Sequence, residues 1–280
     1  MNRGNSFAEQ FRKQGYLVIP EAVPDQSLDH VRMAAAAIVD AFDPEAHQSI
    51  FSTSDNERGR DGYFMDSAEA VHCFLEEGAV DQDGRLNRPK SRAINKIGHA
   101  LHDLVPEFTE LCRRPVFAQL LRDLGYEEAV LWQSMYIYKQ PHIGGVVHWH
   151  QDASYLATEP AGVIGFWLAL EDADRDNSCL WVQPGGHRSP LREIYEVDPK
   201  TRRGKTRILD GTPWPSEQES LAVEVPAGSV VIFSDHMPHY SSLNHSDKSR
   251  QAFTMHFAPV QARWSKKNWL QRKRLDPFIV

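Results

Sequence analysis

Apolar positions change their spacing about midway along this 280-residue chain. In the first half they recur at threes and fours, the period of a helix with one buried stripe. "SFAEQFRKQG" predicts a short amphipathic helix stopped by Gly15, and "YLVIPEAV" after it reads as a strand. "DQSLDHVRMAAAAIVDAF" predicts a longer helix with Asp25 as its cap. Residues 43 to 92 are polar and irregular, with "DNERGRDGYF" and "DQDGRLNRPK" as loops. "INKIGHALHDLVPEFTELCRRPVFAQLLRDLG" then predicts two or three helices ending at Gly125.

From residue 129 the pattern shortens. "AVLWQSMYIYKQ", "VIGFWLALEDA", "SCLWVQPGGH", "LAVEVPAGSVVIFSD" and "SRQAFTMHFAPV" are rich in branched and aromatic residues, and turn chemistry such as "DRDN", "PGG", "PAG" and "NHSDKS" separates them. Short strands after a helical region predict a mainly β, α+β chain: a sandwich or jelly roll with helices packed on it. No repeat or linker divides the sequence, so one domain is expected. Its helical part would cover about 1–126, the jelly-roll core about 127–260 and a C-terminal extension about 261–280.

Composition narrows the function. A 41% apolar, 10% aromatic chain can bury a sizeable core, and a net charge of −7 leaves no footprint for nucleic acid. The basic run "KKNWLQRKR" is the exception and reads as a solvated helix face. Cys73, Cys112 and Cys179 are too few and scattered for a disulfide framework or a zinc knuckle, which points to a reducing compartment. With no signal-peptide pattern and no apolar run of membrane length, the expected location is cytoplasmic and the expected partner a small molecule.

The candidate chemistry sits in "GVVHWHQDASY", residues 145 to 155, where His148, His150 and Asp152 occupy every second position. In an extended segment these side chains share one face. His-x-Asp on one strand, joined by a histidine from a distant strand, forms the two-histidine, one-carboxylate set of mononuclear non-haem iron sites. "SVVIFSDHMPHYSSLNHSDKSRQAFTMHF" offers His236, His239 and His245 as the third ligand. His239 follows a sheet-crossing strand, while His236 and His245 read as loop residues. Arg250 comes eleven positions after His239, and a hairpin would bring both into one barrel mouth. A buried Arg needs an anion, and a dicarboxylate bridging metal and guanidinium would serve both. Surface pairing of Arg250 with Asp247 or Glu171 is the plainer alternative. His187 and His256 read as core or rim residues, and His148 as a group on the substrate side.

"HWHQDASYLATEPAGVIGFWLALEDADRDNSCLWVQPGGHRS" and "PAGSVVIFSDHMPHYSSLNHSDKSRQAFTMHF" resemble the phytanoyl-CoA dioxygenase family. "INKIGHALHDL", "QSMYIYKQPHIGG" and "WSKKNWLQ" extend the resemblance from about residue 60 to the C-terminus. It implies a double-stranded β-helix, a distorted jelly roll, using Fe(II), 2-oxoglutarate and O2. Carried over by position, His150, Asp152 and His239 match the iron ligands, and Arg250 the residue gripping the far carboxylate of 2-oxoglutarate. Lys96, Met135, Trp167 and Ser241 match residues lining the cosubstrate pocket. Without the resemblance, Lys96 reads as an exposed helix lysine, and Met135 and Trp167 as plain core. Asp152 stands where halogenating relatives have Ala or Gly, so hydroxylation is the implied chemistry. The alternatives are a cupin-like metalloenzyme independent of 2-oxoglutarate, and a 2-oxoglutarate-binding sensor with little turnover.

Overall fold

Along strand β7 (Ile164–Ala169) successive side chains find opposite partners, which explains a run buried at every position. Phe166 and Leu168 join a core shared with helices, whereas Trp167 and Ala169 join one shared with a second sheet. The computed structural model describes residues 3–51 and 62–280, with side chains from Ser6 onward, and its layers follow from that alternation. Residues 55–61 of the expected "DNERGRDGYF" loop lie outside the described residues.

The larger sheet runs in the order β1 (Tyr16–Ile19), β12 (Val230–Ser234), β7, β14 (Arg250–Pro259), β4 (Ala129–Lys139), β3 (Ile94–His99) and β2 (Val71–Leu75). Strand β16 (Phe278–Ile279) also pairs with β4. The smaller sheet has the order β11 (Leu221–Val223), β8 (Leu180–Val182), β13 (His239–Ser241) and β5 (Val147–His150). Every pairing in both is antiparallel. Val182, Leu180 and Val223 of the smaller sheet pack against Trp167, Val231 and Ala252 of the larger. The outer face of the larger sheet is covered by α1 (Arg3–Gln14), α2 (Asp25–Ala41), α5 (Pro106–Cys112) and α6 (Pro115–Asp123), numbered past the short α3 (Gly62–Asp66) and α4 (Leu101–Leu104). The chain is thus mainly β with flanking helices, arranged as a jelly roll.

Three expectations are corrected. "INKIGH" is not helical but forms β3, buried at all six positions in the sheet interior, where a strand covered on both faces loses its alternation. With β1 and β2 it makes the N-terminal part a contributor to the main sheet rather than a purely helical region. Asp25 is not the cap of α2; Pro24 holds that place without a side-chain bond, and Asp25 sits in the first turn, where its charge suits the helix dipole. Finally, "KKNWLQRKR" is not a helix face. Asn268, Trp269 and Leu270 are buried in an irregular strap that crosses the sandwich.

Candidate metal centre

His150 ends β5 and His239 opens β13, and the two face each other as register partners across the ladder. Their ring centroids lie 4.1 Å apart. Gln151, fully buried between His150 and Asp152, pins the strand end: its amide donates to the carbonyls of Pro190 (3.2 Å) and His236 (2.9 Å) and accepts from the Arg192 N–H (3.0 Å). Asp152 then starts a 3-10 turn to Ser154, and its carbonyl accepts the N–H groups of Tyr155 and Leu156. The expected extended run therefore breaks one residue early. Asp152 still turns to the same side as His150, but His148 stands exposed at the cavity.

The donor atoms converge. Nε2 of His150 and Nε2 of His239 each lie 3.7 Å from Oδ1 of Asp152. The other ring nitrogens are committed to backbone: Nδ1 of His150 to the carbonyl of His148 (2.8 Å), and Nδ1 of His239 to that of Met237 (3.0 Å). A carbonyl can only accept, so each Nδ1 carries the proton and Nε2 is the ring atom turned toward the carboxylate. Burial alone would raise the Asp152 carboxyl, but the imidazoles of His256, His239 and His150 outweigh it and hold the group far below the usual carboxylate range. One ionised oxygen and two lone pairs, all within 4.8 Å, form a donor set suited to a divalent transition metal. Among the described residues it is the only such cluster of three. His236 turns instead to Asp235 (Nδ1–Oδ1 2.9 Å), and His245 is exposed.

Arg250 lies at the opposite end of the cavity, in the larger sheet. The segment from His239 is therefore no hairpin: residues 242–249 cross from one sheet to the other. Asn244 holds this crossing, its amide donating to the carbonyls of Lys139 (2.9 Å) and Lys248 (2.8 Å). Arg250 is 2% exposed, donates from Nε to the Ser178 carbonyl (2.9 Å), and lies 5.4 Å over the Trp167 ring. Neither Asp247 nor Glu171 is within ion-pair distance of it among the described residues; Asp247 pairs with His142 and Glu171 accepts from Ser249 and Gln251. Burial presses the guanidinium pKa down to about 10, which still leaves a cation at neutral pH. A buried cation without a counter-charge suits a carboxylate ligand.

Between these ends lies a cavity of about 370 Å³ whose walls include Lys96, Met135, Trp167, Ser241, His148 and Arg250 beside the three clustered residues. Lys96 is buried on β3 with its ammonium 3.4 Å over the Phe51 ring. Sequence reasoning missed Lys139, Trp269 and the role of His256, all in the cavity wall. The strand period carried a signal for one of them: counting by twos from Arg250 reaches Thr254 and His256 on the same face.

Residues 11–252 match the family model described as Phytanoyl-CoA dioxygenase (PhyH). A protein of Arabidopsis thaliana named phytanoyl-CoA dioxygenase is 38% identical over 274 residues, covering 96% of this chain and 94% of that protein. The mouse phytanoyl-CoA dioxygenase domain-containing protein 1 is 37% identical over 280 residues, covering 96% and 95%. Among solved structures, the non-heme alpha ketoglutarate dependent carbocyclase SnoK from nogalamycin biosynthesis superposes with a TM-score of 0.63 at 19% identity, over 97% of this chain and 90% of that one. EctD from S. alaskensis with 2-oxoglutarate and 5-hydroxyectoine gives 0.63 at 19% identity, over 95% and 82%. At such identities the structures speak to the fold. No helix among the described residues is long and apolar enough to cross a membrane.

Proposed function

Because this chain belongs to the phytanoyl-CoA dioxygenase family, we propose that it is an Fe(II)- and 2-oxoglutarate-dependent dioxygenase that hydroxylates a C–H bond of a small molecule, releasing succinate and CO2. The observation that carries the reading is the convergence of His150, Asp152 and His239 at one end of a cavity whose other end holds the buried cation Arg250. His150 and His239 would present Nε2, and Asp152 one oxygen, to Fe(II). Bound there, the metal would supply the oxygen activation that side chains lack. With three side chains holding the metal, the cavity beside them would take the cosubstrate and O2.

The protein's own part is positioning. Arg250 would anchor the distal carboxylate of 2-oxoglutarate, with Lys96, Met135, Trp167 and Ser241 shaping the channel between. Aromatic walls exclude water, which strengthens every charge interaction inside. His148, exposed beside the centre, is placed to meet the substrate. The strands β1 to β3 pair within the same sheet as the core strands, which supports reading the chain as one functional unit.

The experiment is anaerobic addition of Fe(II) and then 2-oxoglutarate. The expected result is a weak visible charge-transfer band that appears only with both present and is lost in Asp152→Ala. An unchanged spectrum in the native protein counts against the reading.

A further inference from the structure

Asp152 has two oxygens, and the fold treats them differently. Oδ1 faces both Nε2 atoms at 3.7 Å. Oδ2 is met by Nε2 of His256 at 3.2 Å. His256 comes from β14, on the larger sheet, so the contact joins the two sheets directly beneath the candidate centre. Its cross-strand partner on β7 is Gly165. A Cβ added there would lie 3.2 Å from Oδ2 and 2.7 Å from the Phe233 ring. The glycine is what lets the carboxylate settle against the sheet, and the histidine is what meets it there.

We propose that His256 is a positioning residue that holds the outer oxygen of Asp152, so that the carboxylate offers its metal a single oxygen. This inference rests on the reading of His150, Asp152 and His239 as a metal centre. Both partners are buried, Asp152 at 7% and His256 at 5% exposure, so water does not compete for the bond. A carboxylate can only accept, so Nε2 of His256 donates. The other ring nitrogen, Nδ1, is buried without a hydrogen-bond partner. A ring placed for packing alone would more readily be apolar at this position. One that leaves a nitrogen unsatisfied in order to meet Oδ2 has its use on the Asp152 side.

A carboxylate held this way would resist turning both oxygens toward a metal. That keeps one more coordination position open for the other reactants, a task Asp152 could not guarantee alone.

The test is Mn(II) binding to the purified protein by titration calorimetry. It compares the native chain with His256→Leu, His256→Gln and Asp152→Ala. Leu removes the donor; Gln keeps a donor N–H at a similar reach. The expected result is a 10- to 100-fold loss of Mn(II) affinity in His256→Leu, the range for losing an outer partner of a metal ligand, and recovery to within several-fold in His256→Gln. Equal melting temperatures without metal check that the loss is local. Should His256→Leu fail to fold, His256→Phe keeps the ring volume and takes its place. Native affinity in the donor-free variant, or an equal loss in the Leu and Gln variants, overturns the role given to His256. Native affinity in Asp152→Ala overturns the metal centre itself, a distinct outcome.

Discussion

Lys139 and Arg250 face each other as register partners on β4 and β14, two cations each 2% exposed in one wall of the cavity. No carboxylate lies within ion-pair distance of either among the described residues. Arg250 donates to the Ser178 carbonyl, and Lys139 to the carbonyls of Gly145 and Ser242 (2.7 Å to the latter). Burial first, and then the Arg250 charge, push the Lys139 pKa well below its ordinary value, against the pull of Glu76. A buried guanidinium beside an amine whose charged form it opposes favours any ligand that brings negative charge between them.

From this follows an expectation for Arg250→Met. The change removes an unpaired buried charge but leaves the Ser178 carbonyl without its donor, so the unliganded protein should lose about 1–3 kcal/mol. Stabilisation by 2-oxoglutarate is another matter. At a hundred times its dissociation constant a ligand adds about 2.7 kcal/mol, and the variant should lose most of that increment. Differential scanning fluorimetry with Mn(II) and graded 2-oxoglutarate measures it; an unaltered ligand-induced shift would contradict the assignment.

Lys139→Met should also lower the stability of the unliganded protein. Ser242 keeps a donor in the Ser178 hydroxyl (2.6 Å), but the Gly145 carbonyl loses the ammonium that meets it. An orphaned buried acceptor costs about 1–3 kcal/mol, so urea denaturation should show that loss without ligand present. Comparing its 2-oxoglutarate-induced shift with that of Arg250→Met separates holding the pocket's loops from gripping its contents.

How much of this was legible beforehand depends on whether a residue's neighbours are local. His150 and Asp152 announce themselves by spacing on one strand, and His239 and Arg250 by lying on either side of a polar crossing. The strands of the second half show because turn residues frame runs of branched and aromatic side chains. Lys96 was hidden, since "INKIGH" carries no period once both faces are covered, and flanking helices made it read as one of them. His256 was in phase with Arg250, yet its meaning came from Asp152, 104 positions earlier. Trp269 reaches the cavity by a strap with no regular structure, which hydrophobic period cannot foresee.

Acid should destabilise this protein before its carboxylates titrate. Burial, together with the Arg272 guanidinium, lowers the pKa of His102 to about 3, and burial likewise holds that of His99 well below its ordinary value. In the unfolded chain both bind a proton near pH 6.5. Between that pH and the depressed values the unfolded state carries more protons, so stability falls as pH falls, by up to about 1.4 kcal/mol per pH unit for each group. Urea midpoints measured from pH 7 to pH 5 should drop, and His102→Gln should make the slope shallower. A flat profile in the native protein would show that these rings are not held neutral.

The C-terminal strap offers a last prediction, because one buried ion pair fastens it. Nη2 of Arg272 meets Oδ1 of Asp103 at 2.6 Å, with side-chain exposures of 5% and 9%. The same guanidinium donates to the carbonyls of Leu131 (3.0 Å) and Asp276 (3.2 Å), tying strap, α4 and β4 together. Burial keeps the Asp103 carboxyl above its ordinary value even though the Arg272 guanidinium pulls it down. Arg272→Met strands the Asp103 charge, and breaking one side of a buried pair costs about 3–5 kcal/mol. Arg272→Met combined with Asp103→Leu removes both charges and should recover much of the loss, since apolar replacement of a whole pair is often neutral. Hydrogen exchange over residues 265–280 should rise in the single variant and fall back in the double one. Because Trp269 of this strap lines the cavity, the single variant should also weaken whatever packs against that wall. If the two variants are equally unstable, the pair is not what holds the strap in place.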